Sequence, residues 1–149
     1  TPGRSTCIFE VAGIRFGCAL CIEIQFPELF LDYLDQDVHC ILFSAYDDST
    51  IFSIQAQGYA ASCSSWISHS IPTAMSHTTS SKMIGPTGKV LSTCKNNTSG
   101  IIINTIDLDA PEWDIPITKA RPWRNKAREG SVYRTRYVSD ARSDNKQIF

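Results

Sequence analysis

Segments with the pattern of β-strands alternate along this chain with segments of helical periodicity, and that order narrows the possible folds. The strand patterns cover residues 6–11, 13–21, 38–45 and 65–70. Apolar residues recur at helical spacing from Phe26 to Leu34 and again from Phe52 to Cys63, as expected for helices with one buried face. Because parallel neighbouring strands are usually joined through a helix, the first half of the chain predicts an α/β fold with a mixed sheet.

The second half of the chain has a different character. Residues 80–84 and 90–93 flank a Pro/Gly turn and predict a hairpin, and residues 100–108 predict another strand. Beyond residue 118 the chain is too polar to build its own core, since residues 119–136 hold seven Lys and Arg against one Glu. We therefore expect a domain at 1–118 and an extended basic tail at 119–149 that lies on another surface.

Composition excludes several classes of protein. The 149 residues are 42% hydrophobic with a net charge of −1, which is typical of one globular domain and not of a disordered chain or a basic nucleic-acid binder. No apolar run reaches the roughly 18–20 residues of a membrane span, and the first residues lack a signal-peptide pattern. Most of the six cysteines lie in apolar runs, which favours reduced thiols and a cytoplasmic location over a disulfide framework.

Cys21 is the first candidate for chemistry because of its position. It ends an apolar strand, and a helix begins about five residues later. Sites of α/β proteins lie at the carboxyl ends of strands, and a nearby helix N-terminus favours a thiolate. The alternative from the residues alone is that Cys21 is one more buried thiol.

Two other interpretations of the same region involve different partners. Cys18 and Cys21 form a CxxC pair, but residues three apart on a strand point to opposite faces, so metal or redox chemistry is disfavoured. His69 ends a strand and could act as the base for Cys21, which leaves a Cys/His hydrolase open. Phosphate-binding glycine loops are absent from the sequence, and we expect neither a cofactor nor a metal.

Residues 13–28 resemble the nucleophile segment of the carbon–nitrogen hydrolase, or nitrilase/amidase, superfamily. The matching positions are Gly13, Gly17, Cys21, Glu23, Phe26, Pro27 and Glu28. Later segments resemble the family's following strand, helix, hairpin and strand in the same order, and residues 120–129 resemble its basic segment. The resemblance runs from about residue 6 to residue 136.

The resemblance implies a fold, a chemistry and partners. The fold is half of an α-β-β-α sandwich with helices on one face, in a homodimer or higher oligomer whose interface takes the C-terminal tail. Cys21 is implied as the nucleophile that attacks a small amide or nitrile. Ser44, Ala45, Tyr46 and Glu23 are implied near the substrate, and Glu28 as a structural support of the bend.

One departure from the family pattern is large. The family's catalytic Glu, Lys and second Glu precede the Cys by more than 20 residues, whereas here no lysine occurs before Lys82. We expect an N-terminal half to supply these groups, and a half sandwich without it would leave the inner face of its sheet bare. A non-catalytic interaction module on the same scaffold is the alternative.

Overall fold

The computed structural model describes residues 5–128, which fold around one six-stranded mixed sheet. The strands stand in chain order: β1 (Ile8–Val11), β2 (Ile14–Leu20), β3 (Cys40–Ser44), β4 (Trp66–Ser70), β5 (Lys82–Ile84) and β6 (Val90–Thr93). The central strands β2, β3 and β4 are parallel, and the outer strands pair antiparallel. The predicted α/β class and mixed sheet are confirmed.

The hairpin of β1 and β2 turns on two residues. Ala12 and Gly13 have φ values of 51° and 79°, and positive φ at both central residues is what a type I′ turn requires. This turn type matches the twist of paired strands, so it fixes the register in which Val11 faces Ile14.

Two helices cover one face of the sheet. These are α1 (Pro27–Asp35) and α2 (Ile51–Cys63). The predicted helical faces are largely the buried ones: Phe30, Tyr33 and Leu34 of α1 pack into the main core together with Ala56 and Ala60 of α2. Phe26 lies just before α1 and is 51% exposed, because Pro27 rather than Phe26 opens the helix.

The second face of the sheet is covered only in part. Near β3, β4 and β5, Trp66 and Met83 pack against an incoming segment that contributes Ile102, Ile106, Leu108, Trp113 and Ile117. Near β1 and β2, Phe9, Val11 and Leu20 remain between 42% and 62% exposed. The bare face expected for half a sandwich is therefore confined to one end of the sheet.

The segment at residues 100–108 differs from the predicted strand. Its residues alternate between exposed and half-buried, yet none of them joins the sheet in the described chain. Ile102 and Ile106 pack onto the second face, while Ile101 and Ile103 are about 90% exposed. The period of two therefore reflects alternating burial of an extended segment that lies across a sheet.

The start of the basic tail also differs from the extended expectation. A π-helix (Asp114–Ala120) leads into α3 (Arg121–Arg128). Arg121 is buried, donates to the Val38 carbonyl at 2.9 Å and pairs with Asp37 at 3.0 Å. Arg124 donates to the Ala61 carbonyl near the end of α2, where carbonyls lack helical partners. The rest of the tail, residues 129–149, lies outside the described residues.

Candidate active site

A sharp bend at Cys21 ends β2. Leu20 is still extended, with φ −122° and ψ 120°, whereas Cys21 has a φ of 45°. This left-handed conformation is costly for any residue with a side chain, and strained positions of this kind concentrate at functional sites. A 3₁₀ turn (Cys21–Gln25) follows at once, so the chain reverses direction over one residue and leaves the Cys21 side chain half-buried at the end of the sheet.

Glu23 closes this bend from within. Its carboxylate Oε2 accepts a hydrogen bond of 2.7 Å from the backbone N–H of Leu20. The N–H of Phe26 donates to the Glu23 carbonyl at 3.0 Å, which connects the 3₁₀ turn to the start of α1. The side chain that resemblance assigned to substrate therefore holds the backbone of the bend in this structure.

Strand β2 is held in place behind Cys21 by Tyr33 of α1. The Tyr33 hydroxyl accepts from the Cys18 N–H at 3.2 Å and donates to the Cys18 carbonyl. Its ring lies against Gly17, where an added Cβ would come within 2.8 Å of the ring. Gly17 is thus required for the close approach of α1 to β2, and burial raises the pKa of the Tyr33 hydroxyl.

Three parallel strands end side by side at a cleft. Leu20 pairs with Ser44, and Ser44 pairs with Ser70, across the carboxyl ends of β2, β3 and β4. The cleft has a volume of about 500 Å³, within the range of small-molecule sites. Its lining consists of Leu20, Cys21, Ser44, Ala45, Tyr46, Ser70, Ile71 and Pro72.

The lining includes four of the residues expected at the substrate and four that the sequence analysis missed. Cys21, Ser44, Ala45 and Tyr46 are brought together. Leu20, Ser70, Ile71 and Pro72 were missed, although residues 38–45 and 65–70 were predicted to be strands joined through a helix. Carboxyl ends of parallel strands meet at one edge, so that topology was the signal that could have found them.

His69 does not join Cys21 in this cleft. It is 1% exposed, and its ring stacks on Phe43 at 4.7 Å between ring centroids. Neither ring nitrogen has a hydrogen-bond partner in the described chain. Burial, and then the charge of Lys82, lower the pKa of His69 to about 4, so the imidazole is neutral and isolated, which does not suit a base for Cys21.

The matching family model is that of the carbon-nitrogen hydrolases, and it covers residues 1–112. The chain belongs to the carbon-nitrogen hydrolase family. The family's lysine is not replaced by Lys82, whose amine donates to Ser53 and Thr79 at 2.8 Å each and is absent from the cleft lining. Among the described residues, no charged side chain lines the cleft.

Three solved structures share this fold with the chain. Saccharomyces cerevisiae Nit3, a member of branch 10 of the nitrilase superfamily, matches 63% of this chain with a TM-score of 0.55 and 16% identity. An amidase from Nesterenkonia sp. matches 63% with a TM-score of 0.53 and 17% identity. Glutamine-dependent NAD+ synthetase from Acinetobacter baumannii matches 67% with a TM-score of 0.58 and 12% identity.

These matches cover only part of the solved proteins. They span 38% of Nit3, 39% of the amidase and 21% of the synthetase, so this chain corresponds to about two-fifths or less of their lengths. No curated protein matches the sequence.

Glu28, assigned by resemblance as a support of the bend, lies exposed in the first turn of α1. A carboxylate there complements the helix dipole. The pKa of the Tyr59 hydroxyl is raised by burial first, and then by the charges of Cys63 and Glu28. Its supporting role stays a prediction, while Glu23 makes the contact that closes the bend.

Two further properties concern the described part of the chain. Between residues 5 and 128, no helix has both the length and the apolar character of a membrane span. Over the same part of the chain, no three His, Cys, Asp or Glu side chains converge as metal ligands.

Proposed function

We propose that this chain carries the nucleophile of a hydrolase that cleaves a non-peptide carbon–nitrogen bond in a small amide or nitrile. The observation that carries the proposal is the half-buried Cys21 thiol at a strained bend, lining a cleft of about 500 Å³. A thiol presented this way, in a mostly apolar cleft that fits a small molecule, suits nucleophilic attack on an unsaturated carbon.

The proposed reaction has two halves. The Cys21 sulfur bonds to the amide or nitrile carbon. An amide loses ammonia or an amine as a thioester forms, whereas a nitrile first gives a thioimidate, which takes up one water and loses ammonia to give the same thioester. Water then attacks this intermediate, the carbon–sulfur bond breaks, and the acid is released with the thiol restored. In a variant of the Nesterenkonia amidase, the acetamide moiety of fluoroacetamide is covalently added at the active site cysteine, which supports the same role for Cys21.

The proton transfers require groups that the cleft lacks. Its lining has no carboxylate, imidazole or cation among the described residues, whereas acyl transfer needs proton transfer and stabilisation of developing charge. We propose that a further polypeptide segment supplies a Glu and a Lys.

The exposed apolar end of the sheet, formed by Phe9, Val11 and Leu20, supports this proposal, because an apolar sheet face in a stable protein is normally covered. By resemblance, we further propose a homodimer or higher oligomer of the completed protein.

The proposal is tested by turnover of the complete natural protein that contains these residues. Cys21→Ala removes the nucleophile, so we expect hydrolysis of small amides and nitriles to fall by several orders of magnitude. Cys94→Ala, at another half-buried cysteine, is the matched control and keeps full turnover. Full turnover by Cys21→Ala would contradict the proposal.

The uncharged lining also favours a second function, that of a non-catalytic binding module on the same scaffold. Iodoacetamide labelling of the complete protein near neutral pH separates the two. A nucleophile should react much faster than Cys94, whereas equal rates at Cys21 and Cys94 favour the binding module.

A further inference from the structure

Two cysteines outside the cleft face each other across the β1–β2 hairpin. Ile8 pairs with Gly17, so the next residues outward, Cys7 and Cys18, are directly opposite. The Cys18 N–H donates to the Cys7 carbonyl at 3.2 Å, which continues the ladder by one pair. Residues of such a hydrogen-bonded antiparallel pair have Cα atoms about 5.5 Å apart, within the span of roughly 4.4–6.8 Å that a disulfide bridges.

The two thiols also share one side of the sheet. Opposite residues of an antiparallel pair point to the same face, and the neighbouring pair on that face, Phe9 and Phe16, stacks at 5.3 Å between ring centroids. Burial, then a hydrogen bond and charge from Cys7, raise the pKa of the Cys18 thiol. The sulfurs are therefore close enough to interact, and both cysteines are free in this structure.

Their exposure differs in a way that suits stepwise oxidation. Cys7 is exposed, whereas Cys18 is half-buried beside it. An exposed thiol is open to a dissolved oxidant, and its half-buried neighbour can then attack the adduct within the hairpin. Cys40 and Cys63 are buried and have no such access.

We propose that Cys7 and Cys18 form a reversible cross-strand disulfide with a small disulfide oxidant such as oxidised glutathione. The Cys7 thiolate attacks one glutathione sulfur, the glutathione disulfide breaks, and one glutathione leaves. The Cys18 thiol loses its proton and attacks the Cys7 sulfur, which releases the second glutathione. The protein loses two protons and two electrons, and one oxidised glutathione becomes two reduced ones. The inference concerns the chain with this end of the sheet uncovered, because a segment over Phe9, Val11 and Leu20 would also cover Cys7 on the same face.

Peptide mapping of the full chain tests this assignment. Cleavage after Glu10 and Glu23 places Cys7 in one peptide and Cys18 with Cys21 in the next, so a Cys21→Ser background leaves one cysteine in each. After oxidation and blocking of free thiols, we expect the two peptides to be joined and to separate on reduction. Cys94→Ser keeps the link.

Cys7→Ser and Cys18→Ser should each abolish the linked peptide. Because Cys7 is exposed, the Cys7→Ser variant is expected to fold normally. In this variant Cys18 should remain a free thiol and should therefore carry the blocking group. The proposal would be overturned if Cys7 is recovered only as a free thiol or as its glutathione adduct. It would also be overturned if Cys7 is linked to any cysteine other than Cys18.

Discussion

The carboxylate of Glu23 and the backbone N–H of Leu20 are joined by a hydrogen bond of 2.7 Å across the bend that presents Cys21. Leu20 is the last residue of β2, and Glu23 lies in the 3₁₀ turn that follows. A side chain that reaches back in this way satisfies a backbone donor at the start of the turn, as in a helix capping box. The geometry at Cys21 thus depends on a neighbour that does not itself line the cleft.

Loss of this contact should be measurable as stability. Glu23→Ala removes the acceptor and is expected to lower the free energy of unfolding by about 1 kcal/mol, the usual cost of a lost cap. Glu23→Gln keeps an accepting oxygen and should retain most of the stability. Urea unfolding of the full chain measures both variants, provided that the dependence of the unfolding free energy on urea concentration stays the same. Equal losses of stability in Glu23→Ala and Glu23→Gln would show that the hydrogen-bond acceptor at this position does not determine stability.

Strain at Cys21 should invert the usual order of Ala and Gly. At a φ of 45° a Cβ costs roughly 1–2 kcal/mol, so Cys21→Gly is expected to be more stable than Cys21→Ala. Ala19, two residues earlier in the extended strand β2, supplies the control, because Ala19→Gly should lower the free energy of unfolding there. Thermal or urea unfolding compares the stability of the variants. If Cys21→Ala is as stable as Cys21→Gly, the backbone at Cys21 is not strained.

Close packing of α1 on β2 predicts a large effect of one methyl group. In Gly17→Ala the new Cβ would lie 2.8 Å from the buried Tyr33 ring, and we expect a loss of about 1–3 kcal/mol in the free energy of unfolding. Gly58 of α2 has no atom within 4 Å of an added Cβ, so Gly58→Ala should instead gain up to about 1 kcal/mol. The two variants give opposite shifts of the urea midpoint, and a neutral Gly17→Ala contradicts the packing described.

His69 makes stability depend on pH in a defined window. Burial and the charge of Lys82 lower its pKa from 6.5 to about 4, against an opposing contribution from Asp47. The unfolded chain therefore binds the proton first as the pH falls. The contribution of His69 to the free energy of unfolding is complete above pH 6.5. It declines as the pH falls to 4, by about 3 kcal/mol at most.

The share of this dependence that belongs to His69 is separable. His69→Leu should flatten the pH profile of the unfolding free energy between pH 4 and 6.5. A residual slope should remain from His39, whose pKa is also lowered, by burial first. An unchanged slope in His69→Leu would show that His69 does not titrate as described.

Most of the sheet and both helices on its first face were predictable from the sequence, because apolar residues recur at the spacing of the buried face of each strand or helix. The same signal misled at residues 100–108, since alternate burial on the second face of the sheet looks like strand pairing. The sequence indicates Arg121 and Arg124 only as part of a basic segment. In the structure their guanidinium groups donate hydrogen bonds to the carbonyls of Val38 and Ala61. Such long-range partners, 83 and 63 residues away, leave no local pattern.

The candidate site was predictable where it follows a strand of known polarity. Cys21 is the last residue of the predicted strand 13–21, Ser44 lies at the end of the predicted strand 38–45 next to Ala45, and both line the cleft. Ser70 ends β4 and lines the cleft by the same rule, although the sequence alone did not single it out as a site residue. The role of Glu23 at the Leu20 N–H was beyond the sequence, because it depends on the exact backbone path of the bend.

The central claim is that the Cys21 sulfur forms the covalent intermediate, and trapping that intermediate tests it most directly. The complete natural protein is mixed with a small amide substrate and quenched in acid within one turnover, and the acyl group is mapped by mass spectrometry. The account predicts the acyl group on Cys21 and none on Cys18 three residues earlier. Turnover with the acyl group on another residue, or with Cys21 unmodified throughout, would contradict it.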